Sequence, residues 1–395
     1  MIDFRTIRIA DFGRVITGKT PPSSRPELFG DIHPFLTPTD IDGYARHVEP
    51  DRFLSSSGRD YQHRLMLPQR AVCVVCIGAT IGKVCMTDRP SFTNQQINAV
   101  VVNEDEHDPF FVYHLLTTIR DELKSNAGGA ATPIINKTAF SEIKVSVPPL
   151  VTQQHIAGIL TAYDELIENS QRRIKILEAM ARDLYREWFV HFRFPGNENH
   201  PRVASALGEI PQGWAVKKLG DIAENFDRMR KPLSKMERSQ LQGEYPYYGA
   251  AKVFDYVNDY IFDGEYLLLA EDGSVITPER APVLQLVKEK FWPNNHTHVL
   301  RGLPPFSTHF LYLGLSEVDI SPYITGAAQP KITQENMNRI PFFCGPKELH
   351  LEFNRLVEPM IRKSHILQRQ IQNLRRTRDL LLHRLLSGQI NVVAP

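Results

Sequence analysis

The chain has 395 residues, of which 42% are apolar and 23% charged, with a formal net charge of +1. That length supports two or three domains, each with its own core, and the balanced charge excludes bulk attraction to nucleic acid, so any such affinity must come from local basic patches. No run approaches the roughly 20 apolar residues of a membrane span. The segment Met1–Asp11 alternates charged and apolar residues where a secretion signal needs an unbroken apolar stretch, so a cytoplasmic protein is expected.

In chain order, the first motif is Gly13-Arg14-Val15-Ile16-Thr17-Gly18-Lys19-Thr20, which matches the phosphate-loop pattern GxxxxGK[ST] letter for letter. Such a loop works only if a helix begins at the lysine and turns its N–H groups to the phosphates. Pro21, Pro22 and Pro26 follow at once and block that helix. Lys19 and Thr20 are read instead as contacts to a DNA backbone or as part of a structural turn. Next, Ala71–Ile77 reads as a buried strand. Cys73 and Cys76 lie three apart on it and so face opposite ways, which prevents them from clamping one metal ion. No second CxxC completes a zinc site, and Cys85 and Cys344 are single, so buried reduced thiols are expected. Pro109–Lys124 reads as helical.

A long seam follows. Ile156, Tyr163, Ser170, Leu177 and Leu184 recur every seven residues, as do Leu160, Ile167, Ile174, Ala181 and Trp188, offset by four. Pro195 and Gly196 are expected to stop that helix, and the polar stretch Gly196–Gly208 reads as a linker. Further on, Tyr266–Ala270 reads as a strand and Ser307–Glu317 as a helix. A second seam then appears: Phe353, Met360, Leu367, Leu374 and Leu381, with Val357, Ser364, Ile371, Arg378 and Leu385.

The two seams are copies. An offset of 197 residues carries Ile156 onto Phe353, Trp188 onto Leu385, Pro149 onto Pro346, and Gly129-Ala130-Ala131-Thr132-Pro133 onto Gly326-Ala327-Ala328-Gln329-Pro330. Phe4 and Asp11 match Trp214 and Asp221 at an offset of 210, and Phe92 and Asn94 match Trp292 and Asn294 at 200. The expected fold is therefore mixed α/β, of the α+β kind. Two globular domains in tandem duplication, 1–150 and 196–347 (the latter with its linker), alternate with long helices at 151–195 and 348–390. A helix of roughly 38 residues is about 57 Å long, and its apolar stripe needs a partner. An antiparallel coiled coil within the chain satisfies both stripes; packing of each helix on its own domain, or dimerisation, are the alternatives. Two similar, non-identical domains at a fixed separation suit a bipartite ligand such as two DNA half-sites, which repeat about every 34–36 Å along a duplex.

At this point the residues resemble a known family, the specificity subunits of type I restriction–modification systems, over essentially the whole length. The resemblance is carried by Gly18-Lys19-Thr20-Pro21, by Gly78-Ala79-Thr80-Ile81-Gly82-Lys83 followed by Asn94-Gln95-Gln96, and by Pro148-Pro149-Leu150 leading through Gln153 and Gln154 into Ile156 and Ala157. It continues in Trp188-Phe189-Val190, Leu207-Gly208-Glu209-Ile210-Pro211-Gln212-Gly213-Trp214, Tyr247-Tyr248-Gly249-Ala250, Glu271-Asp272-Gly273 and Asn294-Asn295. It implies two target-recognition domains on a helical spacer, double-stranded DNA with a bipartite site, two methyltransferase subunits on the helices, and restriction–translocation subunits joining them. It implies no cofactor in this chain: S-adenosylmethionine, used to methylate adenine, and ATP with Mg belong to the partners.

No catalytic residue is expected. An adenine methyltransferase needs an Asn/Asp-Pro-Pro-aromatic turn, and Val147-Pro148-Pro149-Leu150 lacks both the polar residue and the aromatic. Glu271, Asp272, Glu289 and Lys290 have no spacing that commits them to a nuclease centre, and His296 with His298 lacks a third metal ligand. A self-sufficient methyltransferase or nuclease, and a protein scaffold that ignores DNA, are the alternative readings. Candidate DNA contacts are side chains able to meet phosphates or base edges from loops. In the first domain these are Lys19, Thr20, Thr37, Thr39, Thr80, Lys83, Asn94 and Gln95, with Gly78 and Gly82 allowing close backbone approach. In the second they are Arg228, Arg230, Lys231, Lys235, Tyr248, Asn294, Asn295 and Lys331. Asn94 and Asn294 occupy equivalent places and equally suit a shared turn. Arg378 stands at a seam position in an Arg-rich stretch, where tracking DNA, facing a methyltransferase subunit, or lying on a solvated face are the options.

Overall fold

The computed structural model describes residues 4–43, 45–125, 127–128, 133–198, 200–326 and 329–390. Of the duplicated loop, 129–132 and 327–328 lie outside these. The chain divides into two units, Met1–Arg172 with Gln368–Pro395, and Arg173–Leu367.

In the first unit a four-stranded antiparallel sheet runs in the order Gly13–Thr17, Ile97–Val102, Val72–Val75, Val84–Met86. Its central strand is apolar at every position because both of its faces are covered. Val72, Val74 and Cys76 enter one core, with the helix Pro109–Thr118 packed there; Ala71, Cys73 and Val75 enter another. Cys73 and Cys76 thus face opposite sides, and the four cysteines are buried thiols. Asp108 caps the helix by accepting from the Phe110 and Phe111 N–H groups, both at 2.9 Å. Arg5–Arg8 pairs with Lys144–Val147, and His33–Leu36 lies parallel to Phe92–Thr93.

The second unit repeats the main sheet of this plan, with the two strands Val84–Met86 and Phe92–Thr93 replaced by the single strand Leu284–Pro293. Its sheet includes the order Ala223–Asn225, Thr297–Gly302, Phe262–Ala270, Leu284–Pro293, and continues into Gln242–Tyr248 and Val253–Val257. The register repeats as well. Gly13 opposite Val102 becomes Ala223 opposite Gly302, and Val72 opposite Val100 becomes Leu267 opposite Leu300. Arg5 opposite Val147 becomes Ala215 opposite Cys344, and the parallel pair Phe35–Phe92 becomes Tyr247–Trp292. Ser307 caps the helix Thr308–Leu315 where Asp108 caps its counterpart.

The long helices are Leu150–Tyr185 and Lys347–Leu386, and their segments pair antiparallel within each unit. In the first unit Ile156, Ala157 and Leu160 share a core with Leu382 and Leu385, and Arg378 donates to Asp164 at 2.6 Å. In the second, Ala181, Tyr185 and Trp188 pack with Phe353, Val357 and Ile361, and Ser364 donates to Glu178 at 3.0 Å. Ile167, Leu367 and Ile371 are buried, while Ile174, Leu177 and Leu374 are half-buried.

Four seam positions need correction. Tyr163, Leu184, Met360 and Leu381 are only half-buried, and their C-terminal neighbours Asp164, Tyr185, Ile361 and Leu382 take the buried places. The slip falls at equivalent points in both helices. Each helix packs on its globular domain as well as on the other helix, so the stripe is wider than a strict seam. The first helix also ends earlier than Pro195. A single π-turn, Arg186–Val190, follows Tyr185, and Phe192 adopts φ 57°, held between Trp214 and Phe343 by edge-on ring contacts. Finally, Arg202–Ser205 and Gly208–Pro211 form a hairpin inside and just beyond the stretch read as linker.

Candidate nucleic-acid interface

In both units the central strand ends against the same framework of backbone bonds. At the end of Val72–Val75, the Cys76 N–H donates to the Gln96 carbonyl at 2.8 Å, and the Cys76 carbonyl accepts from the Ile135 N–H at 2.9 Å. After Phe262–Ala270, the Glu271 N–H donates to the His296 carbonyl at 2.9 Å, and its carbonyl accepts from the Ile332 N–H at 2.8 Å. The next residues form equivalent bridges, Ile77 with Ile134 and Asp272 with Lys331. Then comes a glycine in the left-handed region, Gly78 at φ 96° and Gly273 at φ 77°, where a side chain would be strained. A buried asparagine holds the adjoining turn: Asn94 Oδ1 accepts from the Gln96 N–H at 3.0 Å, and Asn294 Oδ1 from the His296 N–H at 2.8 Å.

The side chains on this common rim differ. The first unit presents Ile77, the 46% exposed Ile134 and Gln96. The second presents Asp272 and His296, whose Nδ1 lies 2.7 Å from Asp272 Oδ1. Both line an open cleft of about 420 Å³ together with Gly249–Lys252, Asn294 and Asn295.

Beneath that cleft lies a charge network. Glu271 takes Arg230 at 2.7 Å and Lys331 at 3.0 Å. The His298 Nδ1 lies 2.5 Å from Asp227 and its Nε2 lies 2.9 Å from the Ile332 carbonyl, so both ring nitrogens face oxygen acceptors. Burial alone would raise both carboxyls, but the bond from His298 holds Asp227 below the ordinary range, and those from Arg230 and Lys331 do the same for Glu271. Asp227, Glu271 and His298 stand close enough to share a metal ion, yet their donor atoms are already spent on cations and on one another. In the first unit the equivalent of Asp227–His298 is a neutral pair, Thr17 donating to Asn98 at 2.6 Å.

The family model described as "Type I restriction modification DNA specificity domain" matches residues 1–179 and 211–348. The chain belongs to this family. It is 26% identical to the type I restriction enzyme MjaIX specificity subunit of Methanocaldococcus jannaschii, across 99% of this chain and 94% of that one. It is 33% identical to the HindI specificity subunit of Haemophilus influenzae over 43% of this chain and 38% of that protein. The crystal structure of a type I system S subunit from M. genitalium superposes with a TM-score of 0.64 at 16% identity, covering 97% of this chain and 96% of that one. The fold, mixed α/β with a duplicated domain and two long helices, is therefore that of the specificity subunits.

Within this specificity-family fold the DNA-contact candidates fall into two groups. Lys19, Gln95, Arg228, Lys231, Lys235 and Asn295 are exposed and Thr80 half-buried, as a contact surface requires. No helix begins at Lys19, whose N–H is tied to the Thr93 carbonyl at 3.0 Å. The others are engaged in holding the fold. Lys83 donates its ammonium to the Ile41 carbonyl at 2.5 Å. Thr37 donates to Asp40 at 2.7 Å with Thr39 beside it, and Thr20 donates to Gln95 at 2.8 Å. Gly82 serves packing, since a Cβ there would meet Arg120 at 2.5 Å. Tyr248 donates to Glu289 at 2.7 Å, and burial together with that carboxylate raises its phenol. Arg230 and Lys331 belong to the network, and Asn94 and Asn294 hold the turns. Arg378 is a half-buried partner of Asp164 at 2.6 Å and of Asp379 at 2.9 Å, so it does not lie on a freely solvated face. Asp272, His296, Ile77, Gln96 and Ile134 do not stand out in the sequence: Ile77 aligns with Asp272 at an offset of 195, Gln96 with His296 at 200 and Ile134 with Lys331 at 197, so no single repeat offset connects them.

Proposed function

We propose that this chain is the DNA-reading specificity subunit of a type I restriction–modification complex. It recognises an asymmetric bipartite target, one domain per half-site, and directs two adenine-methyltransferase subunits and the restriction–translocation subunits to it. The observation that carries this reading is a duplicated scaffold conserved to the hydrogen bond, with different side chains on equivalent rims. A shared frame with divergent rims suits two related readers of two unlike sequences. Most of the affinity then comes from exposed cations on phosphates.

On this reading the chain is cytoplasmic and does no chemistry: the S-adenosylmethionine, ATP and Mg of the reaction sit on the partner subunits. No helix among the described residues is long and apolar enough to cross a membrane. The long helices act as the ruler between half-sites. The test is to incubate the purified chain, alone and with its methyltransferase subunits, with labelled S-adenosylmethionine and DNA. Methyl transfer is expected only in the complex, at a site of two sequence blocks, with steeply salt-dependent binding. Transfer by the chain alone would sink the reading. Lengthening the long helices by one or two turns near Ser170 or Ser364 should change the tolerated gap, and an unchanged gap would remove the ruler.

A further inference from the structure

The two rims at the end of the central strand invite comparison residue by residue, because the backbone around them is the same. We propose that these rims are the base-reading positions of the two domains, and that Asp272 with His296 selects a base bearing an exocyclic amino group while Ile77, Ile134 and Gln96 select thymine. The proposal rests on the specificity-subunit reading and adds to it which residues discriminate and what chemistry they discriminate for.

In the second domain His296 occupies one oxygen of Asp272, and an ionised carboxylate keeps acceptor capacity beyond one bond. Both residues line the open cleft. In the major groove adenine and cytosine present amino donors, whereas guanine and thymine present keto oxygens. A carboxylate accepts from the first pair and repels the second, so the discrimination includes a repulsive element. The shared chemistry is the amino group; whether it belongs to adenine or cytosine is read from the wild-type target.

In the first domain the places equivalent to Asp272 and His296 carry the opposite chemistry, while Ile134 stands where the second domain has Lys331, whose ammonium is held by Glu271 at 3.0 Å. Gln96 Oε1 accepts from the Asn94 amide at 2.9 Å, which leaves its NH₂ as the group able to donate, 3.9 Å from where a Cβ on Gly78 would stand. Ile77 bridges Ile134, one of the exposed large apolar residues. A donor beside an apolar pair matches thymine, the base that presents a keto oxygen next to a methyl group. The glycine that follows each rim residue, Gly78 or Gly273, keeps the approach free of a side chain.

The experiment uses the chain assembled with its methyltransferase subunits. Methylated adenines are mapped on a randomised DNA library, and binding is measured on matched duplexes. Asp272→Asn should relax one position of one half-site, reducing the preference for an amino base over a keto base there by roughly 5- to 150-fold, with the other half-site unchanged. His296→Gln, which installs the residue of the first domain, should shift the same position toward a keto base and serves if the first variant does not fold. In the other half-site, replacing one thymine by uracil should weaken binding about fourfold for a buried methyl, and Ile77→Ala should abolish that difference. Unchanged preferences at every position in folded variants, both domains' variants altering one half-site, or a keto base at the Asp272-dependent position would each overturn the proposal. A wild-type complex with no sequence preference would instead overturn the specificity-subunit reading on which it stands.

Discussion

The pair Asp164–Arg378 offers the most demanding test of the packing described above. Arg378 stands where the heptad pattern calls for an apolar residue, and it donates to Asp164 at 2.6 Å with side-chain exposures of 13% and 4%. Replacing it by leucine keeps the volume of the stripe but leaves a carboxylate buried against the helix Pro109–Thr118, where His114 is 3.4 Å away. Burial, with Arg378 and Arg46 adding to it, pushes that histidine down to about 3, and Arg46, which also acts on Asp164, is already paired with Glu168 at 3.1 Å. Breaking one side of a buried pair costs about 3–5 kcal/mol, or roughly 6–20 °C in melting temperature for a unit of about 200 residues. Burial raises the Asp164 carboxyl, with Arg378 pulling the other way. A carboxyl raised in the folded state penalises folding above its unfolded-state value and not below it. The deficit of Arg378→Leu should therefore be full at neutral pH and fade as the pH drops toward about 4. Asp164→Leu combined with Arg378→Leu should recover most of the loss, since an apolar pair of similar volume replaces an ion pair at little cost. Calorimetric melts of wild type, single and double variants between pH 4 and 8 measure all of this. A single variant within a degree or two of wild type at pH 7, or a double variant worse than the single, would refute the reasoning.

His298→Leu should destabilise the second unit by about 3 kcal/mol at pH 7. Because Asp227 is held below its usual value of 3.8, that pairing contributes above the unfolded-state value and is lost as the pH falls through the folded one; melts of variant and wild type that stay equally spaced down to pH 2 would contradict it. Gly82→Ala meets both a φ of 82° and a clash with Arg120 at 2.5 Å, whereas Gly213→Ala, at φ 85°, has nothing within 4 Å. The first should therefore cost clearly more than the about 1–2 kcal/mol of left-handed strain alone, measured by urea titration, and equal costs would discount the contact. Burial pushes the thiols of Cys76 and Cys344 up to about 11 and about 12, so a thiol reagent at pH 8 should label neither in the folded chain and both in denaturant. Rapid labelling of the folded chain would show that these strands open.

What the sequence carried was whatever repeats or punctuates. The heptad spacing, the prolines ahead of each long helix, and the paired asparagines at 94 and 294 are local signals, and a duplication doubles them. The same local signals excluded a phosphate loop at Gly13–Thr20, because the prolines after it forbid a helix regardless of tertiary context. Contact residues were far less legible. Lys83, Thr37 and Arg230 look like free donors in the sequence, yet the fold sets an acceptor against each. For Arg230 those partners lie 41 and 67 residues away, beyond any local pattern.

By itself, then, the sequence determined the tandem architecture, the long helices and the character of the central strands, since these follow from periodicity and from apolar runs in which each residue's neighbours on the chain decide its role. Only the tertiary structure decided that Asp164 and Arg378 fill apolar places in the stripe, that the seam slips by one residue at Tyr163 and Met360, and that Asp272 meets His296 at the places that Ile77 and Gln96 hold in the other copy. Each of those depends on which distant segment the fold brings within hydrogen-bonding reach, and a buried polar group is tolerated only where such a partner arrives.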